Sequence, residues 1–382
     1  MRRWIALLIV AAAALAPGTT GQADTRVVLR GSATPLDAPV EAVTLAGVQV
    51  GGDESRMIGW DSIKVITGDL EAEALPFLPL ADHAWRARLR LSRGDLAMAE
   101  PLFESLSESF ADAPGPTALM VAEGLLRCRL RRGDQAGALQ PWIDAVEMRE
   151  SGLRVAGDPP LIPVLDPDLL LAAALPPVWL NDGAAAAVVA AADPSLTAAS
   201  DAEADSESPA EETDLAAALR TMYIAAATFE VNGTVPESLP EVDHPGAALV
   251  RQIVIARIGD AEARADARRE LEAGLNDDVP WREAWRRAAL GRSLLREPDN
   301  ESRVRGVLQL LHLPARFSAS QPYLAGVALA EASLELERMG DTEGATTLRQ
   351  LLDRTDPNHP AAGWLARQRH ALTTRPAPEE QD

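Results

Sequence analysis

Histidines are the first side chains to test for chemistry, because imidazole binds metals and moves protons at neutral pH. The chain has five of them, at His83, His244, His312, His359 and His370. No two are three or four residues apart, the spacing that would place two metal ligands on one face of a helix. The sequence therefore predicts no metal site.

Nucleotide and nucleophile motifs are also missing from the sequence. There is no glycine-rich phosphate loop, and Gly291 and Ser293 lack the second glycine of a nucleophile elbow. The alternating acids of residues 201–207 have neither the central glycine nor the closing glutamate of a calcium loop. The single cysteine, Cys128, falls in a helical pattern and is predicted to be a buried, inert thiol. We therefore expect a protein that is not an enzyme and has no cofactor.

Arginine is locally dense in an otherwise acidic chain. Arg86 and Arg90 are four residues apart on one predicted helix, and Arg127 and Arg131 are four apart on another. Guanidinium groups bind carboxylates, so these four residues are predicted to bind a protein partner. The simpler interpretation is a solvated helix surface. The formal net charge of −21 argues against a nucleic-acid partner, whose phosphates would be repelled.

Composition indicates that helices position these side chains. Hydrophobic residues make up 47% of the chain but aromatic residues only 4%, so alanine and leucine must form the core. Such a core favours closely packed helices over a sandwich or barrel. Apolar residues recur with the helical period from residue 75 onward, and we predict helical repeats over 75–155 and 214–373, the second ending in a capping helix.

Residues 24–70 have a different pattern. Short alternating runs with β-branched residues are separated by glycine, proline and aspartate, which is typical of strands and turns. The pattern resembles that of a small SH3-like or Sm-like barrel. We therefore expect a small all-β unit ahead of the helices.

Three turns of the helical part share one short sequence. In each, a glycine preceded by arginine or methionine is followed by aspartate, and an alanine stands five residues beyond the glycine. The glycine can end one helix, the aspartate can cap the next, and the alanine allows two helices to cross closely. The glycines and alanines are Gly94, Gly133, Gly340, Ala99, Ala138 and Ala345.

These hairpins resemble the tetratricopeptide repeat. On that family's pattern Gly340 is the turn glycine, Ala345 is the small residue that opens the second helix, and Pro357 is the terminal proline. The stretches that match are residues 80–114, 119–150 and 321–360. The resemblance implies a mostly α fold, a solenoid of stacked helical hairpins, and a role as a scaffold or adaptor for other proteins.

Two stretches interrupt the helical pattern. Residues 156–192 combine prolines with many apolar side chains, so we predict an ordered but irregular segment on the helical surface, with a short helix at 169–174. Residues 193–213 are acidic and have almost nothing to bury, which indicates a disordered linker. The polar tail, residues 374–382, is predicted to be disordered as well.

The first 23 residues have the pattern of an export signal. Arg2 and Arg3 precede an apolar run at 5–16, and the small residues Gly21 and Ala23 predict cleavage after Ala23. No cysteine follows the signal, so we expect no lipid anchor, and no later run is long enough for a transmembrane segment. We therefore expect the mature chain in the periplasm or outside the cell.

Two classes of function fit this sequence. The first is a non-enzymatic scaffold that binds other polypeptides of the cell envelope. The second is a cell-envelope hydrolase or glycan-binding protein that uses the helical array as a frame. Trp281 and Trp285 could stack on a sugar, although inward packing at this helical spacing is the alternative. We favour the scaffold.

Overall fold

The computed structural model describes residues 25–51, 55–192, 214–276 and 279–374. The predicted signal peptide, the predicted acidic linker and residues 375–382 of the predicted tail lie outside these ranges. Within them the fold is mostly helical, with a small antiparallel β unit at the amino-terminal end. The mostly α fold class predicted from the sequence is therefore confirmed.

The β unit contains two small antiparallel sheets. Its strands are β1 (Arg26–Leu29), β2 (Val40–Thr44), β3 (Gly47–Val50), β4 (Arg56–Ile58) and β5 (Ile63–Thr67). One sheet pairs β1 with β5, with Val27 opposite Ile66. The other has the order β2-β3-β4, with Val48 opposite both Val43 and Ile58.

The predicted closed barrel is wrong. Among the described strands, no pairing joins the two sheets into one. Their apolar side chains are covered by helices instead, since Val27, Val48 and Trp60 lie in one core with Ala84 and Phe103 from the helical part. A sheet whose inner face is buried by helices does not need to close on itself to exclude water.

The rest of the described chain is built from helices. A helical turn at Glu71–Ala74 leads from the β unit into the first of them. The longer helices are α1 (Leu78–Ser92), α2 (Leu96–Phe110), α3 (Pro116–Arg131), α4 (Gln135–Glu150), α5 (Gly183–Ala191), α6 (Leu215–Asn232), α7 (Pro245–Ile258), α8 (Ala261–Ala273), α9 (Pro280–Leu294), α10 (Asn300–Arg316), α11 (Pro322–Arg338), α12 (Thr342–Thr355) and α13 (Pro360–Thr374). Each packs against the helix before it and the helix after it, and the other main helix contacts join helices two apart in the order.

The three glycine–aspartate turns have the same geometry. Gly94, Gly133 and Gly340 all have φ values between +76° and +87°. Only glycine adopts this left-handed conformation without strain, so it ends the helix and reverses the chain. The alanines five residues further on, Ala99, Ala138 and Ala345, are completely buried.

The aspartate of the turn caps the next helix in two of the three cases. Asp134 accepts a hydrogen bond of 2.8 Å from Gly137 N, and Asp341 accepts one of 2.8 Å from Gly344 N. A Cβ on either capped glycine would lie 2.3 Å from the aspartate Oδ2, so any larger residue there would require the carboxylate to shift. Asp95 has a methionine there and makes no cap, and its carboxylate binds Arg90 instead.

Helix α3 separates two hydrophobic cores. The amino-terminal core joins the β unit to α1 and α2, and α3 contributes Met120, Leu125 and Cys128 to it. The carboxy-terminal core contains α4 and the helices after it, and α3 contributes Leu119 and Leu126.

Burial, with a smaller effect of nearby carboxylate charge, raises the pKa of the Cys128 thiol to about 11. This thiol is therefore protonated and unreactive at neutral pH.

The predicted short helix at 169–174 is also wrong. The chain makes turns there, and an isolated bridge pairs Leu165 with Ala172. The Asp166 carboxylate accepts hydrogen bonds from the main-chain N–H groups of Asp168 and Leu169, at 3.1 and 3.0 Å. These hydrogen bonds stabilise a turn at the position where a helix was predicted to begin.

In the described ranges, no helix has the length and apolar character needed to cross a membrane.

Candidate binding site of the helical array

An irregular stretch of chain, residues 156–180, runs from one core to the other, and we call it the inner segment. Most of its apolar side chains are buried, although Ile162 is 76% exposed. The core residues among them are Leu165, Leu169, Leu171, Ala172, Leu175, Val178, Trp179 and Leu180. The predicted ordered segment is thus part of the carboxy-terminal core and does not merely lie over it.

Four helices hold the inner segment by its main chain. Each contributes one tryptophan or tyrosine, buried in three cases and partly buried at Tyr323, whose polar tip donates a hydrogen bond to a carbonyl of the segment. Proline has no N–H group and interrupts regular secondary structure. Carbonyls of this proline-rich segment therefore need hydrogen-bond donors from elsewhere in the chain. The bonds are Trp142 Nε1 to Leu170 O (3.0 Å), Tyr223 Oη to Leu175 O (2.5 Å), Trp285 Nε1 to Ala173 O (3.1 Å) and Tyr323 Oη to Val178 O (3.0 Å).

The amino-terminal end of the inner segment is fixed by Arg88, which is 1% exposed. Its guanidinium binds the Asp61 carboxylate at 2.6 Å and donates to three main-chain carbonyls of the segment, those of Ala156 (2.6 Å), Gly157 (3.0 Å) and Pro159 (2.8 Å). Burial raises the pKa of Asp61, and the opposing effect of Arg88 does not cancel it. We call Arg88, Asp61 and these carbonyls the amino-terminal clamp.

The carboxy-terminal end is fixed in a similar way by Arg292, which is 3% exposed. Its guanidinium donates to Trp179 O at 2.8 Å and binds the carboxylates of Glu230 and Glu331, both at 2.9 Å. Arg257 binds Glu230 as well, at 2.6 Å. Burial raises the pKa of Glu230, but Arg292 and Arg257 outweigh it and hold that pKa below its ordinary value. We call Arg292, its two glutamates and Trp179 O the carboxy-terminal clamp.

The four arginines predicted to bind a protein partner have different surroundings. Arg86 and Arg131 are exposed on α1 and α3. Arg90 forms an ion pair of 2.8 Å with Asp95, and Arg127 donates to the main-chain carbonyl of Ile162 in the inner segment. Within the described residues, Arg86 and Arg131 make no side-chain hydrogen bond or ion pair, whereas Arg90 and Arg127 are engaged.

The tryptophan pair considered as a sugar platform packs inward. The rings of Trp281 and Trp285 meet edge to face at 4.8 Å between centroids, and Trp285 is completely buried beneath the inner segment. Only Trp281 is partly exposed. A sugar could therefore not stack on both rings in this arrangement.

Two of the five histidines have structural roles. His244 and His359 each precede a proline that begins a helix, and their Nδ1 atoms accept a hydrogen bond of 3.1 Å from Gly246 N and Ala361 N. Burial lowers the pKa of both imidazoles, which favours the neutral form that accepts this bond. In the described part of the chain, histidines, cysteines and acids form no group of three suited to a metal.

Sequence reasoning missed the roles of Arg88 and Arg292, although a signal for both was present. Arg88 lies four residues after Ala84 and three before Leu91, and therefore falls on the apolar face of its helix. Arg292 lies seven residues after Trp285, on the buried face of α9. A charged residue on an apolar stripe indicates a buried ion pair.

Comparisons with known proteins give no relative for this chain. No protein-family model, no curated protein and no solved structure matches it. We therefore infer its function from its own contacts.

Proposed function

We propose that this chain is a non-enzymatic, exported scaffold that binds other polypeptides of the cell envelope on a tetratricopeptide-like solenoid. One observation carries the proposal. The helical array holds a stretch of irregular polypeptide, its own inner segment, by hydrogen bonds from α4, α6, α9 and α11 to main-chain carbonyls of the segment. Stacked helical hairpins of this kind also present a concave face suited to binding a polypeptide.

The solenoid is supported by the repeated hairpin geometry. The turns at Gly94, Gly133 and Gly340 share one backbone conformation, and the main helix contacts are confined to helices one or two apart in sequence order. The substitution Ala345→Glu tests this register, because a carboxylate at that close crossing would be buried without a partner. We expect it to cost about 3 kcal/mol of unfolding free energy. Thr347→Glu, on the exposed face of the same helix, is the control and should leave stability unchanged.

The surface offered to a partner follows from which groups are already engaged. The inner segment occupies the donors of Trp142, Tyr223, Trp285 and Tyr323, so a partner must bind elsewhere. Of the four predicted arginines, Arg86 and Arg131 remain, because both are exposed and neither makes a side-chain hydrogen bond or ion pair with another described residue. A partner on this surface would present carboxylates, and its binding would weaken as salt increases.

The experiment compares Arg86→Gln/Arg131→Gln with the control Arg269→Gln/Arg305→Gln, in which both arginines are exposed on other helices. Polypeptides from the native envelope are captured on each purified protein at low and at moderate salt. We expect the first variant to lose partners that the control retains, most clearly at low salt. Equal capture by both variants would show that Arg86 and Arg131 do not bind a partner.

Export is tested separately by sequencing the amino terminus of the exported chain. A first residue other than Asp24 would contradict the proposed cleavage.

The glycan-binding or hydrolase alternative has no contact in its favour. Its tryptophan platform is occupied by the inner segment, because Trp285 donates to Ala173 O. We therefore retain the scaffold.

A further inference from the structure

A cavity of about 340 Å³ lies beside the carboxy-terminal clamp, and we call it the arginine cavity. Its size is at the lower end of the range for small-molecule sites. Charged and apolar side chains both line it. The arginines are Arg257, Arg296 and Arg338, and the apolar residues are Leu295, Leu334 and Trp364.

The carboxylates in the cavity wall already have cationic partners. Glu230 binds both Arg257 and Arg292, and Glu331 binds Arg292 through its two oxygens at 2.9 and 3.0 Å. Arg292 lies behind the wall and is almost fully buried. Neither glutamate forms an ion pair with Arg296 in the described chain.

Arg296 is the cation of the wall without a counterion. No carboxylate of the described chain forms an ion pair with it, and its guanidinium donates to the main-chain carbonyl of Arg257 and lies 4.9 Å from the centre of the Phe229 ring. Burial lowers the pKa of Arg296, the positive charges of Arg264 and Arg257 lower it further, and the carboxylates of Glu230 and Glu297 oppose these effects without cancelling them. A half-buried cation with cationic neighbours thus faces the cavity.

The charge balance of the wall selects the ligand. Arg257 binds Glu230, and Arg338 binds Glu335 at 3.4 Å, a carboxylate that Arg303 also binds. Of the three cavity arginines, Arg296 is the one without an ion pair to a carboxylate of the described chain. A ligand carboxylate would give it a counterion, whereas a dianion such as phosphate would bring more negative charge close to Glu230 and Glu331. The apolar side chains suit a ligand whose anionic group is attached to a hydrocarbon body.

We propose that the arginine cavity binds a small monocarboxylic acid, with its carboxylate on Arg296 and its apolar body against Trp364. Arginine is suited to this task because its planar fork donates two parallel hydrogen bonds to one carboxylate. The amide side chains of Asn181 and Gln368, which also line the cavity, can donate to the same group. This site is separate from the exposed arginines of the proposed scaffold surface and does not depend on that function.

The test is calorimetric titration of the full chain with hexanoate and with hexanamide, which has the same carbon body and no charge. We expect hexanoate to bind and hexanamide to bind about 10- to 100-fold more weakly, since a charge-assisted bond is lost. Arg296→Gln should weaken hexanoate binding by a similar factor, and Arg296→Lys, which keeps the charge but not the fork, should fall between. Arg269→Gln, exposed on α8, is the control and should bind like the wild type.

Three outcomes would overturn the proposal. The first is equal binding of hexanoate and hexanamide, and the second is hexanoate binding that Arg296→Gln leaves unchanged. The third is the absence of hexanoate binding when another probe does bind. Binding of inorganic phosphate would then indicate a different anion, and binding of an acetylated Ala-Ala-Leu peptide acid would indicate a polypeptide terminus. If Arg296→Gln does not fold, as judged by circular dichroism, the comparison of acid with amide on the wild type still decides.

Discussion

The two ends of the inner segment are fixed by the same device with different charge balances. At one end Arg88 meets one carboxylate, Asp61, and three main-chain carbonyls. At the other, Arg292 meets two carboxylates and one carbonyl. Carbonyl dipoles compensate a buried cation less fully than carboxylates do. The comparison teaches that a buried arginine can anchor irregular chain wherever enough acceptors converge on it.

The pKa directions follow this difference. Burial dominates at Asp61 and raises its pKa, so its charged form is costly in the folded state. Arginine charges dominate at Glu230 and lower its pKa, so its charged form is stabilised. The amino-terminal clamp should therefore tolerate acid better than the carboxy-terminal clamp.

The largest effect is expected from Arg292→Met. This substitution leaves Glu331 without a cationic partner and Glu230 with Arg257 alone, both in buried surroundings. We expect the unfolding free energy at pH 7 to fall by about 4 to 5 kcal/mol, measured by urea denaturation. Arg305→Gln, whose side chain is largely exposed, is the matched control and should show no measurable loss.

Arg88→Met should have a smaller effect that depends on pH. We expect a loss of about 3 kcal/mol at pH 7, because Asp61 loses its cation and the inner segment loses three donors. The pKa of Asp61 is already raised above 3.8, and removing Arg88 raises it further. The folded variant then binds a proton more readily than the unfolded chain, so part of the loss should be recovered at pH 5. An equal or larger loss at pH 5 would contradict the assignment of this clamp.

The tyrosines should contribute less than the clamps. Both tyrosines of the chain donate to carbonyls of the inner segment near its carboxy-terminal end, Tyr223 to Leu175 and Tyr323 to Val178. We expect Tyr223→Phe and Tyr323→Phe each to cost about 1 to 2 kcal/mol, because each leaves a buried carbonyl without its donor. Ile162→Ala, at the exposed part of the same segment, should cost nothing measurable. A cost at Ile162 equal to that at the tyrosines would show that the segment is not held by its main chain.

The smallest effect is expected from His359, through the decline of the unfolding free energy at acidic pH. His359 stacks on Tyr323, with 5.8 Å between ring centroids, and burial lowers its pKa below the ordinary value of 6.5. The folded state therefore binds this proton less readily than the unfolded chain, and stability should decline as pH falls below 6.5. Asparagine can cap the same helix without titrating. We expect the drop in unfolding free energy between pH 7.5 and pH 5.5 to be smaller in His359→Asn than in the wild type, and an identical drop would contradict this role.

Local features of the sequence predicted the turns between helices well. A left-handed glycine, a capping aspartate and a buried alanine lie within six residues of one another, as at Gly133, Asp134 and Ala138, so their chemistry can be read from the chain.

The remaining features depend on contacts between distant residues. Arg292 and Trp179 are 113 positions apart, and Arg88 and Pro159 are 71 apart. No spacing rule relates such positions, although each arginine stood on an apolar stripe. The barrel was predicted wrongly for the same reason, because the helices that cover Trp60 come later in the chain. Of the four predicted binding arginines, sequence alone could not show that Arg127 is engaged by the inner segment.

The central claim, that this chain binds polypeptides and does not transform them, is tested most directly by mass spectrometry of a complex. The full chain is mixed with a polypeptide that the wild type captures and the Arg86→Gln/Arg131→Gln variant does not. We expect native spectra to show a complex of fixed stoichiometry, and denaturing spectra taken hours later to show a partner of unchanged covalent mass. A partner that is cleaved or modified by a substoichiometric amount of the chain would contradict the claim.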